Sequence, residues 1–170
     1  MGKNGPTKPN RTGTGTLNDV VMTPQQTAIE IIEYFSPSGL VLEPCRGSGN
    51  IYNNLPGQKE WCEVSEGVDF FNYNKRVDWI ITNPPYSIYD KFLLKSLEVA
   101  DNVVFLCPLS KFFRGMKVEQ QINLYGGVKE ILHLGTGSKL GFTFGFPVGC
   151  IHYQKNYKGD LQYTKRFLNR

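Results

Sequence analysis

Two prolines in succession, Pro84 and Pro85, stand one residue behind the run Asp78-Trp79-Ile80-Ile81-Thr82. Proline fixes its own φ and has no amide hydrogen, so neither a strand ladder nor a helix continues through the pair. The run reads as a buried strand with a sharp end. The same punctuation recurs along the chain. Leu40-Val41-Leu42 is a short apolar strand broken by Glu43-Pro44-Cys45-Arg46-Gly47-Ser48-Gly49, and Asn102 to Cys107 is another, stopped by Pro108. Glu60 to Val64 reads as a strand, and Val68 to Phe71 as a further strand or extended stretch.

Helical spacing fills the intervals. Ala28, Ile31, Ile32 and Phe35 follow Thr23-Pro24-Gln25-Gln26, which reads as Thr23 N-cap, Pro24 at the first helical position and Gln26 closing a capping box. Asn50 to Asn54 is a second helix. Tyr89, Phe92, Leu93, Leu97 and Ala100 trace a third, and a fourth ends at Gly126-Gly127. Val128 to Leu134 and Val148 to Tyr153 have no helix between them, so they are expected to pair as an antiparallel hairpin. The alternation predicts an α/β fold: a mostly parallel, seven-stranded sheet, trimmed of a crossover helix, with a C-terminal hairpin. Ligands in such sheets sit beyond the carboxyl ends of the strands. The Gly-rich turn and Asn83-Pro84-Pro85-Tyr86 both fall at such ends.

The 170 residues divide, on this reading, into a flexible basic arm over 1–19 and a single domain over 20–170. The formal net charge is only +4, but it is concentrated. Lys3, Lys8 and Arg11 precede the first acid, Asp19, and Lys155, Lys158, Lys165, Arg166 and Arg170 face Asp160 alone. Basic ends suit phosphates, or simply solubility. No apolar run approaches the ~18 residues of a membrane helix, and the N-terminus has no signal-peptide pattern. Cys45, Cys62, Cys107 and Cys150 form no C-x-x-C pair and read as buried reduced thiols, which points to a cytoplasmic protein, bacterial or viral. His133 and His152 lie far apart among strand residues, and no metal is expected.

Asn83-Pro84-Pro85-Tyr86 at a strand end suits a planar nitrogen nucleophile. An amino group on a ring or carbonyl is a poor nucleophile, because its lone pair is delocalised. The Asn83 side-chain oxygen and the Pro84 carbonyl can accept its two hydrogens. Pro85 stiffens the loop, and Tyr86 offers a face for stacking. Upstream, the glycines of Glu43-Pro44-x-x-Gly47-x-Gly49 allow a bulky ligand close to the backbone at a helix start. Neither the dinucleotide G-x-G-x-x-G pattern nor the phosphate-loop ending is met. Glu63 follows Glu43 by 20 residues, a spacing suited to a ribose-binding acid. Asp69-Phe70 adds a carboxylate and a ring against which an adenine could rest.

Taken together, these residues resemble the S-adenosylmethionine-dependent amino-methyltransferases, and more narrowly the adenine-specific (N6) DNA methyltransferases with an Asn-Pro-Pro-Tyr loop. The resemblance covers most of residues 20–153. Its order, with the Thr23-Pro24 helix ahead of the Gly-rich motif, is similar to the γ arrangement of that family. It implies a Rossmann-like class I methyltransferase fold. It implies that Glu43, Pro44, Gly47 and Gly49 cradle the methionine end of S-adenosylmethionine, with Thr23 closing over it. Glu63 would bind the ribose, and Asp69 and Phe70 the cofactor's adenine. Asn83, Pro84, Pro85 and Tyr86 would form the catalytic loop, Asn83 also facing the cofactor. The reaction implied is direct in-line transfer to the 6-amino group of an adenine flipped out of DNA, with Tyr86 replacing lost stacking.

Larger members of that family carry a separate target-recognition domain, and no room for one is evident after Tyr86. Recognition is therefore expected from loops, a partner subunit or a second copy of the chain. Loop candidates are Lys111, Phe112, Phe113 and Arg114, and Lys139, Phe142, Phe144 and Phe146. At least half of those phenylalanines are expected to pack into the core, and sequence preference is expected to be weak. Similar tetrapeptides serve enzymes that methylate RNA bases or release-factor glutamines. An RNA adenine or guanine amino-methyltransferase, or a non-catalytic partner subunit that binds nucleic acid, are the alternative readings.

Overall fold

Short β-branched and leucine-rich runs dominate the middle of the molecule because they are covered on both sides. In the computed structural model, which describes residues 21–166, seven strands form one sheet. In chain order they are β1 (Leu40–Glu43), β2 (Gln58–Trp61), β3 (Val77–Thr82), β4 (Ala100–Pro108), β5 (Gly126–Thr136), β6 (Pro147–Lys155) and β7 (Gln162–Lys165). Their order across the sheet is β2-β1-β3-β4-β6-β5-β7. Only β6 runs against its neighbours, pairing antiparallel with β4 and β5. The α-helices are α1 (Gln25–Phe35), α2 (Asn50–Asn54), α3 (Tyr89–Val99) and α4 (Met116–Tyr125).

Strand side chains alternate between two cores, as the period of two requires. Leu42, Ile80, Val103, Phe105 and Cys107 point to one face, where Phe92 and Leu93 of α3 and Val118 and Ile122 of α4 cover them. Val41, Ile81, Val104 and Leu106 point to the other, against Ala28 and Ile31 of α1 and Ile51 of α2. Burial on both faces explains why these strands read as continuous apolar runs. All four cysteines are free, three of them buried. No helix among the described residues is long and apolar enough to cross a membrane.

The hairpin of β5 and β6 forms as expected, and α2 occupies the predicted residues. Four features differ. Thr23 does not cap α1. The helix starts after Pro24 with no side-chain cap, and Gln26 instead reaches Glu30 Oε1 at 3.0 Å. Pro24 takes the cap position itself, and Thr23 lies one residue further out, its carbonyl accepting from Asn50 Nδ2 at 2.7 Å. The second strand is shifted to Gln58–Trp61, since Val64–Glu66 is wound into a 3-10 turn capped by Glu63. Val68 only bridges Glu63, and Phe70–Asn72 is a second 3-10 turn, so no strand forms there. Finally, β7 adds a parallel edge beside β5, at a stretch whose alternation was masked by polar residues. The predicted basic arm lies outside the described residues.

Behind the sheet's amino ends, His152 stacks on Trp79 with ring centroids 5.3 Å apart and faces Asn102 Oδ1 at 3.1 Å. Burial, reinforced by the Lys129 charge, holds it down at about 4. The unfolded chain takes up a proton below pH ~6.5 that the folded chain refuses. Stability is therefore expected to fall as pH drops from 6.5 towards 4, by about 1–2 kcal/mol at pH 5. Urea midpoints at pH 7 and 5 should show the loss in the wild type and a much smaller one in His152→Gln.

Candidate active site

Because β1 lies directly beside β3, with Val41 opposite Trp79 and Leu42 opposite Ile80, the loops leaving their carboxyl ends meet. This is also where the strand order reverses, with β2 beyond β1 on one side and β3 on the other. Behind β1 the chain turns through Gly47 (φ +50°) and Gly49 (φ +83°), left-handed values that favour glycine. The turn is laced to the segment after β2: Arg46 N donates to the Cys62 carbonyl at 3.0 Å, and Gly47 N to Glu63 Oε2 at 2.8 Å. Behind β3, Pro84 is buried while Asn83 and Tyr86 are half-buried. Pro85 (φ −65°) leads into a 3-10 turn, Tyr86–Ile88, that runs on into α3.

One contact joins the two tips. Cys45 Sγ lies 2.9 Å from Thr82 Oγ1 and donates to the Asn83 carbonyl at 3.2 Å. Burial pushes this thiol far above its ordinary range, so it stays protonated and can donate. Over both tips lies the segment Val21-Met22-Thr23. Asn83 Nδ2 donates to the Val21 carbonyl at 2.9 Å, and the Met22 sulfur would lie 3.1 Å from a Cβ placed on Gly47. Beneath this strap is a narrow cleft, lined among others by Thr23, Glu43, Cys45, Gly47, Asn50 and Asn83.

Glu43 dominates the electrostatics of the cleft. It is 2% exposed, and its Oε2 has no hydrogen-bond partner among the described residues. Burial pushes its carboxyl up to about 9, against a backbone hydrogen bond from Tyr52 and the Arg46 charge, which oppose the rise. An orphaned buried carboxyl at the wall of a cleft is suited to a cationic group. Glu63 is the converse. Burial pushes it up, but hydrogen bonds from Ser65 and Gly47 and the Arg46 charge outweigh that and hold it below the ordinary carboxylate range. Its oxygens already serve Gly47 N, Ser65 N and Ser65 Oγ, so it shapes the Gly-rich turn in this state.

The remaining predicted residues divide. Asp69 Oδ1 accepts from Phe71 N at 2.9 Å, as the cap of its 3-10 turn. The Phe70 ring is 3% exposed and packs 4.8 Å from Phe92, so it is core and offers no open face to an adenine. Asn83 Oδ1 accepts from Tyr86 Oη at 2.8 Å. Lys111 Nζ donates to the Tyr86 carbonyl at 2.9 Å, and Arg114 donates to Asp90 Oδ1 at 2.9 Å. Both cations thus brace the loop behind Tyr86. Lys139 is exposed on a turn whose Phe142 is buried and stacks on Phe144, which stacks in turn on the exposed Phe146. The sequence reading missed Cys45, Met22 and Asn50. The position of Cys45 between Glu43 and Gly47 was the available signal, but a thiol flanked by apolar strands also fits a core residue.

No family model matches the chain, and no curated protein does. Solved structures do. A candidate class I S-adenosylmethionine-dependent methyltransferase from Listeria monocytogenes aligns at 13% identity over 90% of this chain and 68% of its own, with a TM-score of 0.72. The methyltransferase subunit of a type I restriction-modification system from Streptococcus thermophilus aligns at 14% identity over 85% of this chain and 47% of its own, with a TM-score of 0.64. A candidate RNA methyltransferase from Pyrococcus horikoshii aligns at 18% identity over 77% and 82%, with a TM-score of 0.55. At such identities the likeness is one of fold, and that fold is the Rossmann-like class I methyltransferase architecture. The chain spans about half the length of the restriction-modification subunit.

Glu43 should place stability and binding in opposition. Its folded pKa is raised, so its contribution to stability is greatest below pH ~4.5 and is lost as pH rises towards 9. Glu43→Gln is therefore expected to be more stable than wild type at pH 8, on the order of 1–3 kcal/mol by denaturant titration, and to bind a cationic cleft ligand more weakly. A variant that is both less stable and equally tight would refute the assignment.

Proposed function

We propose that the chain transfers a methyl group from S-adenosylmethionine to the exocyclic 6-amino group of adenine in DNA. The observation that carries this reading is the convergence of two tips on one cleft: an orphaned acid at the last residue of β1 and an amide on a proline-stiffened loop behind β3. Glu43 fits the ammonium of the cofactor's methionine end, with Gly47 and Gly49 giving close backbone approach and Thr23 lying above. S-adenosylmethionine, when bound, supplies a methyl group made electrophilic by a sulfonium.

The chain's own residues do the rest. The target amino group takes the place of the Tyr86 hydroxyl on Asn83 Oδ1, and its second hydrogen is accepted by the Pro84 carbonyl. Two acceptors held out of the base plane draw the nitrogen lone pair out of conjugation. Lys111 fixes the Tyr86 carbonyl, so the freed phenol swings on an anchored backbone and its ring can cover the flipped base. Positioning and hydrogen bonding supply most of the acceleration, and no strong base is required of the protein. Glu63 and Asp69 are proposed to turn towards the nucleoside of the cofactor. Target recognition is proposed to come from a partner subunit or a second copy, which the type I subunit likeness supports. RNA is a second reading, favoured by the Pyrococcus likeness.

Labelled methyl transfer to DNA, RNA and a release factor, followed by nucleoside mass spectrometry, tests both. Methyl label in N6-methyladenine from DNA is the expected result. Asn83→Ala is expected to lower the rate by about 10²–10³ while still melting cooperatively, and wild-type rates in that variant would remove the hydrogen-bond role. A protein that fails to bind S-adenosylmethionine at millimolar concentration in a calorimeter would be a non-catalytic subunit.

A further inference from the structure

The segment that leaves β4 carries a bulky ring in an unusual place. Leu109–Phe112 is a 3-10 turn, and Phe112 packs against the core beneath it. Phe113 follows and is 77% exposed. The residues around it are held firmly. Lys111 donates to the Tyr86 carbonyl at 2.9 Å, and Arg114 donates to Asp90 and lies 5.2 Å over the Tyr89 ring. Arg114 N also reaches Glu119 Oε1 at 3.3 Å. Phe113 is therefore presented from a backbone pinned on either side to the stretch 86–90, next to the loop that would receive the target base. An exposed ring on a braced backbone is placed to meet something planar or apolar without first being reordered.

We propose that Phe113 is the wedge that enters a DNA duplex at the place vacated by the flipped adenine. The proposal rests on the reading of the chain as an adenine methyltransferase acting on DNA. A base that leaves the stack opens a gap flanked by two base pairs, and a planar side chain inserted there replaces the lost stacking. The flipped nucleotide stays tethered to its backbone, so the wedge must stand within one nucleotide's reach of the loop that holds the base. It must also offer its ring to both flanking pairs. Phe113 lies between Lys111 and Arg114, which contact the 86–90 stretch, and it is 77% exposed, its contact with the Phe112 ring being edge-on at 5.1 Å and 74° rather than stacked. Phe146 does not meet the second, because Phe144 already lies parallel to it at 4.1 Å with an interplanar angle of 8°. Met116, equally exposed on the first turn of α4, and the exposed Lys117 extend the same surface towards the neighbouring backbone.

The test compares three substrates of one sequence: a matched duplex, a duplex with the target adenine mispaired, and the single strand. Methyl transfer is measured for wild type, Phe113→Ala and Phe113→Trp, and 2-aminopurine at the target position reports unstacking in the duplex. For Phe113→Ala the ratio of duplex to single-strand rate is expected to drop at least tenfold. Mispairing should recover most of that loss, and the 2-aminopurine signal on binding should fall. Phe113→Trp is expected to keep the wild-type ratio. Equal loss on all three substrates, or an unchanged ratio, would overturn the wedge while leaving the methyltransferase reading in place. A surface reserved for a protein partner would likewise leave the ratio unchanged. Wild-type protein inactive on every substrate would overturn the underlying reading, and the wedge with it.

Discussion

Two residue pairs, Val41 with Trp79 and Leu42 with Ile80, hold β1 and β3 side by side, and the candidate site exists because of that registration. A parallel sheet sends all its carboxyl ends the same way, so neighbouring strands deliver their following loops to one rim. Here one loop is a glycine turn able to admit a ligand to the backbone, and the other is a double proline that cannot fold back. The Cys45 thiol joins them by donating to the Asn83 carbonyl. Shifting either strand by one residue would turn its apolar side chains to the wrong core and part the tips together.

Glu43 shows what this arrangement costs. A carboxyl with one unpartnered oxygen in a nearly closed wall is a defect for folding alone. Much of the surrounding structure is built to tolerate it: a backbone hydrogen bond from Tyr52, the charge of Arg46, and a tightly packed strand on either side. Glu63, a short distance away in the same loop system, is held ionised by hydrogen bonds instead. The pair is thus split into a neutral wall acid and a charged structural acid by environment rather than by residue type.

Much of the fold was legible in the sequence, for a simple reason. The central strands are apolar on both faces and each ends at proline or glycine, so their existence and direction follow from the chain. The hairpin of β5 and β6 follows from the absence of a helix between them. What could not be read were features set by partners distant in sequence. Thr23 looks like a cap but lies one residue outside that position, with its carbonyl on Asn50. Lys111 and Arg114 look like free phosphate contacts until the 86–90 stretch takes both. Phe70 looks like a platform until Phe92 covers it. β7 lacks an apolar alternation because an edge strand buries so little.

Asn83 carries the most specific consequence of these long-range contacts. A carboxamide has a donor end and an acceptor end of nearly the same shape, and only its neighbours decide which points where. The Val21 carbonyl can only accept, so Nδ2 must face the strap. Oδ1 is then turned towards Tyr86. On the proposed reading, the hydroxyl it meets there occupies the position an amino hydrogen of the target would take, so the acceptor is kept satisfied and aimed until that donor arrives. The strap over the cleft and the orientation of the Asn83 amide are accordingly one structural decision, made by a residue 62 positions upstream.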